Sequence, residues 1–151
     1  MSELAELLGI ARRAAEVARD VIMPLWERDL TVELKADRTP VTAADRGAEE
    51  AIRAFLAKEC PGHGVLGEEF GETPGDGRHR WILDPIDGTK SFIHHVPLFG
   101  TLIALERDGV PVAGVIACHA VGETVSGAEG LGAWLNGEPV RVSRTARLGE
   151  A

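Results

Sequence analysis

The sequence predicts an α+β fold in which two amphipathic helices are followed by a largely antiparallel sheet. Three observations predict it. Apolar residues recur at three- and four-residue steps before Gly62, short β-type runs follow it, and the connections of those runs contain the tight-turn pairs Asp108-Gly109 and Asn136-Gly137. Strands and helices do not alternate as a parallel βαβ architecture requires.

The first helix is expected from Glu3 to Glu27, where Leu4, Leu7, Leu8, Ala11, Ala15, Ala18, Ile22 and Trp26 form an apolar stripe. Pro24 lacks an amide donor and should loosen or end its last turn. Leu30 to Val41 could form a short hairpin around Ala36-Asp37-Arg38. A second helix is expected from about Thr42 to Glu59: Thr42-Ala-Ala-Asp45 resembles a capping box with Asp replacing Glu, and Pro61-Gly62 is a stop. Strands are expected at Val65–Gly67, Trp81–Leu83, Phe99–Leu105, Val110–Cys118, Glu123–Ser126 and Ala133–Leu135. Pro74-Gly75-Asp76-Gly77 reads as a mobile surface loop.

With 151 residues, 44% of them hydrophobic, residues 1–151 are expected to make one domain. The formal charge of −8 argues against nucleic acid or an anionic membrane as partner, since counterion release needs clustered Lys and Arg. A small anion could still bind through a divalent cation. No run reaches the ~18 apolar residues of a membrane span, and acids from the third residue onward replace a basic leader. Cys60 and Cys118 lie far apart without a CxxC pattern, so a reducing cytoplasm is the expected location.

GxGxxG, HExxH and GxSxG motifs are absent, and Gly88-Thr-Lys-Ser91 lacks the glycine directly before lysine that a P-loop needs. What remains is acids beside glycine: Gly67-Glu68-Glu69, and Asp84-Pro85-Ile86-Asp87-Gly88 at the end of a strand. Pro85 should turn the chain so that Asp84 and Asp87 face one point. Packed carboxylates either rise in pKa or take up a cation, and hard oxygen donors favour Mg²⁺ over zinc. A plain strand-ending turn, with the aspartates bonded to backbone amides, fits the same spacing.

Gly67-Glu68-Glu69 followed by Trp81-Ile-Leu-Asp84-Pro-Ile-Asp87-Gly-Thr89 resembles the inositol monophosphatase superfamily of magnesium-dependent phosphatases. Thr42-Ala-Ala-Asp45, Lys35 and Gly132-Ala-Trp-Leu-Asn136-Gly137 extend the resemblance over nearly the whole chain. It implies that Glu68, Asp84 and the Ile86 carbonyl hold one Mg²⁺, and that Asp84 and Asp87 share a second. It implies phosphate binding at Asp87, Gly88 and Thr89, and catalytic roles for Glu68, Asp45 and Thr89, the threonine hydroxyl donating to Asp45 while accepting from the attacking water. Lys35 would approach the metals from its hairpin, whereas Glu69 should point away as a solvated charge. The reaction implied is hydrolysis of a small phosphate monoester by in-line attack of metal-activated water.

Within the superfamily, Lys90–Ile93 and Pro97–Leu105 look most like the histidinol-phosphate phosphatase branch, with inositol monophosphatase as the alternative. His94-His95 departs from that branch, where a small residue and glycine are usual, and reads as a rim pair. His63, His79 and His119 receive no role. The family continues with an α/β half carrying a Trp-Asp-x-Ala-type motif, and here Trp26, Trp81 and Trp134 are not followed by Asp. The chain therefore resembles the N-terminal half only. A different reading follows: a catalytically poor metal- and phosphate-binding half that needs a partner chain, with a homo-oligomer expected to cover its apolar face.

Overall fold

The computed structural model describes residues 2–27 and 40–151. The hairpin expected across Leu30–Val41 lies outside the described residues together with Lys35, except for its last two positions, which belong to a helix.

Helix α1 spans Glu3–Trp26, and the Ser2 hydroxyl caps it by accepting from the Ala5 amide at 3.3 Å. Pro24 does not stop it. Its ring sits in the final turn, and the Glu27 amide still reaches the Met23 carbonyl. Helix α2 spans Pro40–Glu59 and starts earlier than the Thr42 cap, on a proline whose missing amide costs nothing in a first turn. Gly62, at φ 97°, takes the left-handed conformation that turns the chain out of this helix.

Eight strands follow: β1 Gly64–Gly67, β2 Gly71–Thr73, β3 His79–Asp87, β4 Gly100–Arg107, β5 Val110–Cys118, β6 Glu123–Ala128, β7 Gly132–Leu135 and β8 Glu138–Val140. They form one sheet in the order β2-β1-β3-β4-β5-β6-β7-β8, confirming the α+β class. β1 runs parallel to β3, the one parallel pair among the described residues. The sequence does not reveal β2 or β8: each is a three-residue edge strand with no apolar alternation. A five-residue helix, α3 Thr89–Ile93, follows β3.

Alternation assigns the sheet's two faces. Trp81, Leu83, Ile103, Leu105, Val115 and Ala117 are buried beneath the helices, with Leu8, Ala11, Ala15, Ala18 and Ile22 of α1 and Ala44, Ala48, Ile52 and Leu56 of α2. The opposite face carries Ile82, Leu102 and Ile116, aligned across neighbouring strands with Ala104 and Val125. Ile116 is 51% exposed and Val125 40%. No described helix is long and apolar enough to cross a membrane.

Candidate active site

The acids meet where β1 and β3 end. In the parallel register Leu66 lies beside Ile82 and Gly67 beside Leu83, so one further step sets Glu68 next to Asp84. Pro85 does not turn the chain as expected: β3 continues through it to Asp87, because proline is tolerated where the ladder is already irregular. A bulge solves the facing problem instead. Asp84 pairs with Leu102 and Asp87 with Gly100, so three steps on β3 match two on β4. Acids three apart on a regular strand would project to opposite faces; the extra residue restores their phase.

Asp45, on the inner side of α2, is 8% exposed and completes the cluster. Burial, then the charges of Glu69, Glu68 and Asp84, push its carboxyl up to about 7, with the Ile86 amide opposing. Asp84 is pushed up to about 6 by burial first, then by Glu68 and Asp87, with the same Ile86 amide opposing. Oδ1 of Asp45 and Oδ1 of Asp84 are both buried without a hydrogen-bond partner. Unpaired buried carboxylate oxygens on like-charged neighbours are unstable by themselves, and a hard dication is the group that would satisfy them. The donor set is all oxygen, so the residues present fit such an ion.

Beyond Asp87 the chain turns sharply. Gly88 has φ 89°, and a Cβ there would meet the Leu98 carbonyl oxygen at 2.7 Å, so glycine is required. Exposed Thr89 opens α3, and its hydroxyl donates to the Ile86 carbonyl at 3.3 Å. The hydroxyl–Asp45 bond expected from the resemblance is not formed; the carbonyl three residues back is the nearer acceptor. His94 and His95 are both exposed, as a rim pair should be, and His95 lies against Trp26 with ring centroids 5.6 Å apart.

The sequence profile of the Inositol monophosphatase family matches residues 3–151. The chain belongs to the inositol monophosphatase family. A histidinol-phosphatase of Chlorobaculum parvum is 48% identical over 139 residues, covering 92% of this chain and 52% of that protein. An inositol-1-monophosphatase of Mesorhizobium japonicum is 42% identical over 150 residues, covering 98% and 56%. The solved inositol monophosphatase of Zymomonas mobilis superposes with a TM-score of 0.82 at 45% identity, over 95% of this chain and 55% of that one. The chain thus spans about half the length of the curated relatives it matches.

Two supports of this carboxylate cluster were not evident from the sequence. Glu49, four residues after Asp45, has no exposed surface. Its carboxylate accepts from the amides of Glu69 at 2.7 Å and Phe70 at 3.2 Å and pairs with Arg53 at 2.8 Å, which fixes the turn that carries Glu68. It also explains Gly67, where a Cβ would lie 2.0 Å from the Glu49 carboxylate. The readable signal was an acid within the apolar stripe Ala44, Ala48, Ile52, Leu56. Glu69 also differs from expectation. It sits on a turn rather than an extended segment, so alternation does not apply; its partly buried carboxylate lies 3.7 Å from Arg46.

The second support lies behind β3. The Thr101 hydroxyl donates to the Pro85 carbonyl at 2.8 Å and therefore accepts from His119 Nε2 at 2.8 Å, which places the ring proton on Nε2. Burial, then the charge of Arg19, lowers His119 to about 4 and keeps it neutral. No sequence pattern links residues 85, 101 and 119, which only strand pairing brings together.

Proposed function

We propose that the chain is the carboxylate-bearing half of a Mg²⁺-dependent phosphate monoester hydrolase. The observation that carries this reading is the convergence of Asp45, Glu68, Asp84 and Asp87 around the Ile86 backbone, with two buried carboxylate oxygens left unpaired. Glu68, Asp84 and the Ile86 carbonyl would hold one ion, and Asp84 with Asp87 a second. Such ions, when bound, lower the pKa of an attacking water and stabilise the leaving oxygen.

The chain's own groups do the rest. Asp45, its proton affinity raised by burial, holds a water by hydrogen bond on the α2 side of the cluster. Thr89 turns its hydroxyl from the Ile86 carbonyl toward that water once the carbonyl has another partner. Backbone amides of Gly88 and Thr89, close-packed because Gly88 has no side chain, face the phosphate beside Asp87. A phosphate monoester is the substrate class, and histidinol phosphate the favoured member over inositol phosphate, on the strength of Lys90–Ile93, Pro97–Leu105 and the relatives' names. Free Cys60 and Cys118 accord with a reducing cytoplasm.

A second reading is favoured by the open face of the sheet: Ile116 and Val125 lie exposed there beside Leu102, and Asp84 shares that face. On this reading activity requires another polypeptide segment, or a second copy, over that surface. Calorimetric titration with Mg²⁺, on the protein and its Asp84→Asn variant, tests the site; equal affinities would remove it. Phosphate release with histidinol phosphate and inositol phosphate, measured on a sample sized by light scattering, separates the two readings. A monomer turning over at about 1 s⁻¹ or faster excludes the dependence on a partner.

A further inference from the structure

We propose that Thr101, held by His119, is a positioning residue for ion binding: it orients the Pro85–Ile86 peptide plane so that Ile86 presents its amide and its carbonyl to the carboxylate cluster. The inference rests on the Mg²⁺ site proposed above, and it adds two residues that touch neither ion nor phosphate.

The bulge calls for such a device. Between the pairs Asp84–Leu102 and Asp87–Gly100, two residues of β3, Pro85 and Ile86, stand opposite one residue of β4, Thr101. An extra residue interrupts the ladder and proline brings no amide to it, so strand pairing alone does not fix this stretch. A side chain does. Thr101 has no exposed surface, and its hydroxyl donates to the Pro85 carbonyl at 2.8 Å.

A carbonyl and the amide that follows it share one rigid plane, with oxygen and hydrogen on opposite sides. Holding the Pro85 carbonyl toward Thr101 therefore turns the Ile86 N–H the other way, to the acids, where it opposes the rise in the Asp45 and Asp84 carboxyls. The Ile86 carbonyl, on the next plane, is the group offered to the ion and accepts from the Thr89 hydroxyl. If the Pro85–Ile86 plane swung, both groups would lose their aim, and Asp84, directly before the proline, would shift with them.

His119 decides where the Thr101 proton goes. A hydroxyl rotates and can donate or accept, whereas a carbonyl only accepts. His119 Nε2 lies 2.8 Å from the Thr101 hydroxyl oxygen, and burial, then the charge of Arg19, keeps the ring neutral. With the Nε2–H on the hydroxyl oxygen, the hydroxyl proton is committed to Pro85. His119 follows β5 directly, so the chain ties the neighbouring strands β3, β4 and β5 together at the level of the bulge.

Two measurements on one set of variants test this. Thr101→Val keeps the shape and removes the hydroxyl, Thr101→Ser keeps the hydroxyl, and Ile103→Val, two residues along the same strand, lowers stability with no change at the hydroxyl. In metal-free protein, amide exchange followed by NMR should speed up at Ile86 by more than about tenfold relative to Leu83 in Thr101→Val, whereas Ile103→Val should move the two amides together. Mg²⁺ affinity by calorimetry should fall about tenfold in Thr101→Val and stay within about twofold of wild type in Thr101→Ser and Ile103→Val. His119→Leu, which frees the hydroxyl to turn, should give both changes at about threefold, and it carries the test alone if circular dichroism shows Thr101→Val unfolded. Ile86 exchange that merely follows Leu83, an equal loss of affinity in Ile103→Val, or unchanged Mg²⁺ affinity where Asp84→Asn weakens it would each overturn this inference and leave the ion site standing. Absence of Mg²⁺ binding by the wild type would remove the site and this inference together.

Discussion

Replacing Asp45 by Asn should make the metal-free protein more stable at neutral and alkaline pH. Asp45 is a carboxyl whose folded pKa, about 7, lies above its unfolded value near 3.8. Its contribution is therefore intact below the unfolded pKa and is lost progressively as pH rises through 3.8 to 7, the range in which only the unfolded chain ionises freely. The full shift corresponds to roughly 4 kcal/mol, and access of solvent from the open side of the cluster halves this to about 2 kcal/mol. Asn keeps the shape and removes the charge that Glu68, Glu69 and Asp84 repel. In chelator at pH 8, thermal unfolding of Asp45→Asn should occur about 4–8 °C above wild type. The gap should shrink toward pH 4, and saturating Mg²⁺ should narrow it by restoring a counter-charge to the wild-type cluster. A variant no more stable than wild type at pH 8, or a gap that persists in acid, would falsify the argument that burial and carboxylate repulsion strain this site.

Other expectations are briefer. Glu49→Ala should lower stability by about 3 kcal/mol in denaturant titration, since it leaves the Glu69 and Phe70 amides and the Arg53 Nε–H without their acceptor, whereas Glu49→Gln keeps an acceptor and should cost about half as much. Gly67→Ala should weaken Mg²⁺ binding measured by calorimetry, because the new methyl displaces the Glu49 carboxylate that anchors the Glu68 turn; wild-type affinity would refute the role given to Glu49. His119 acts with the opposite sign to Asp45. Its stabilisation is complete above about 6.5, declines as pH falls toward 4, and is expected to amount to about 2 kcal/mol, so a His119→Gln variant should lose that part of the acid sensitivity in pH-dependent unfolding. Ile116→Lys on the open face should leave folding intact while shifting light-scattering mass toward monomer, and an unchanged larger mass would place the contact elsewhere.

Local chemistry made much of this protein legible in its sequence. The stripe from Leu4 to Trp26 could only be a half-buried helix, Asp108-Gly109 and Asn136-Gly137 could only be tight turns, and acids beside glycine at a strand end marked the site. These features depend on neighbours within a few residues, where backbone sterics and periodicity decide the outcome. Strand pairing decided the rest. The β3 bulge that brings Asp84 and Asp87 into phase, the parallel step that sets Glu68 beside Asp84, and the chain from His119 through Thr101 to Pro85 all join residues that no spacing rule connects. Edge strands β2 and β8 carry too little apolar pattern to announce themselves, because their partners supply the pairing. Glu49 shows the difference most directly: an acid in an apolar stripe looks like an interruption until the turn after Gly67 folds against it and provides two amides and room for its carboxylate.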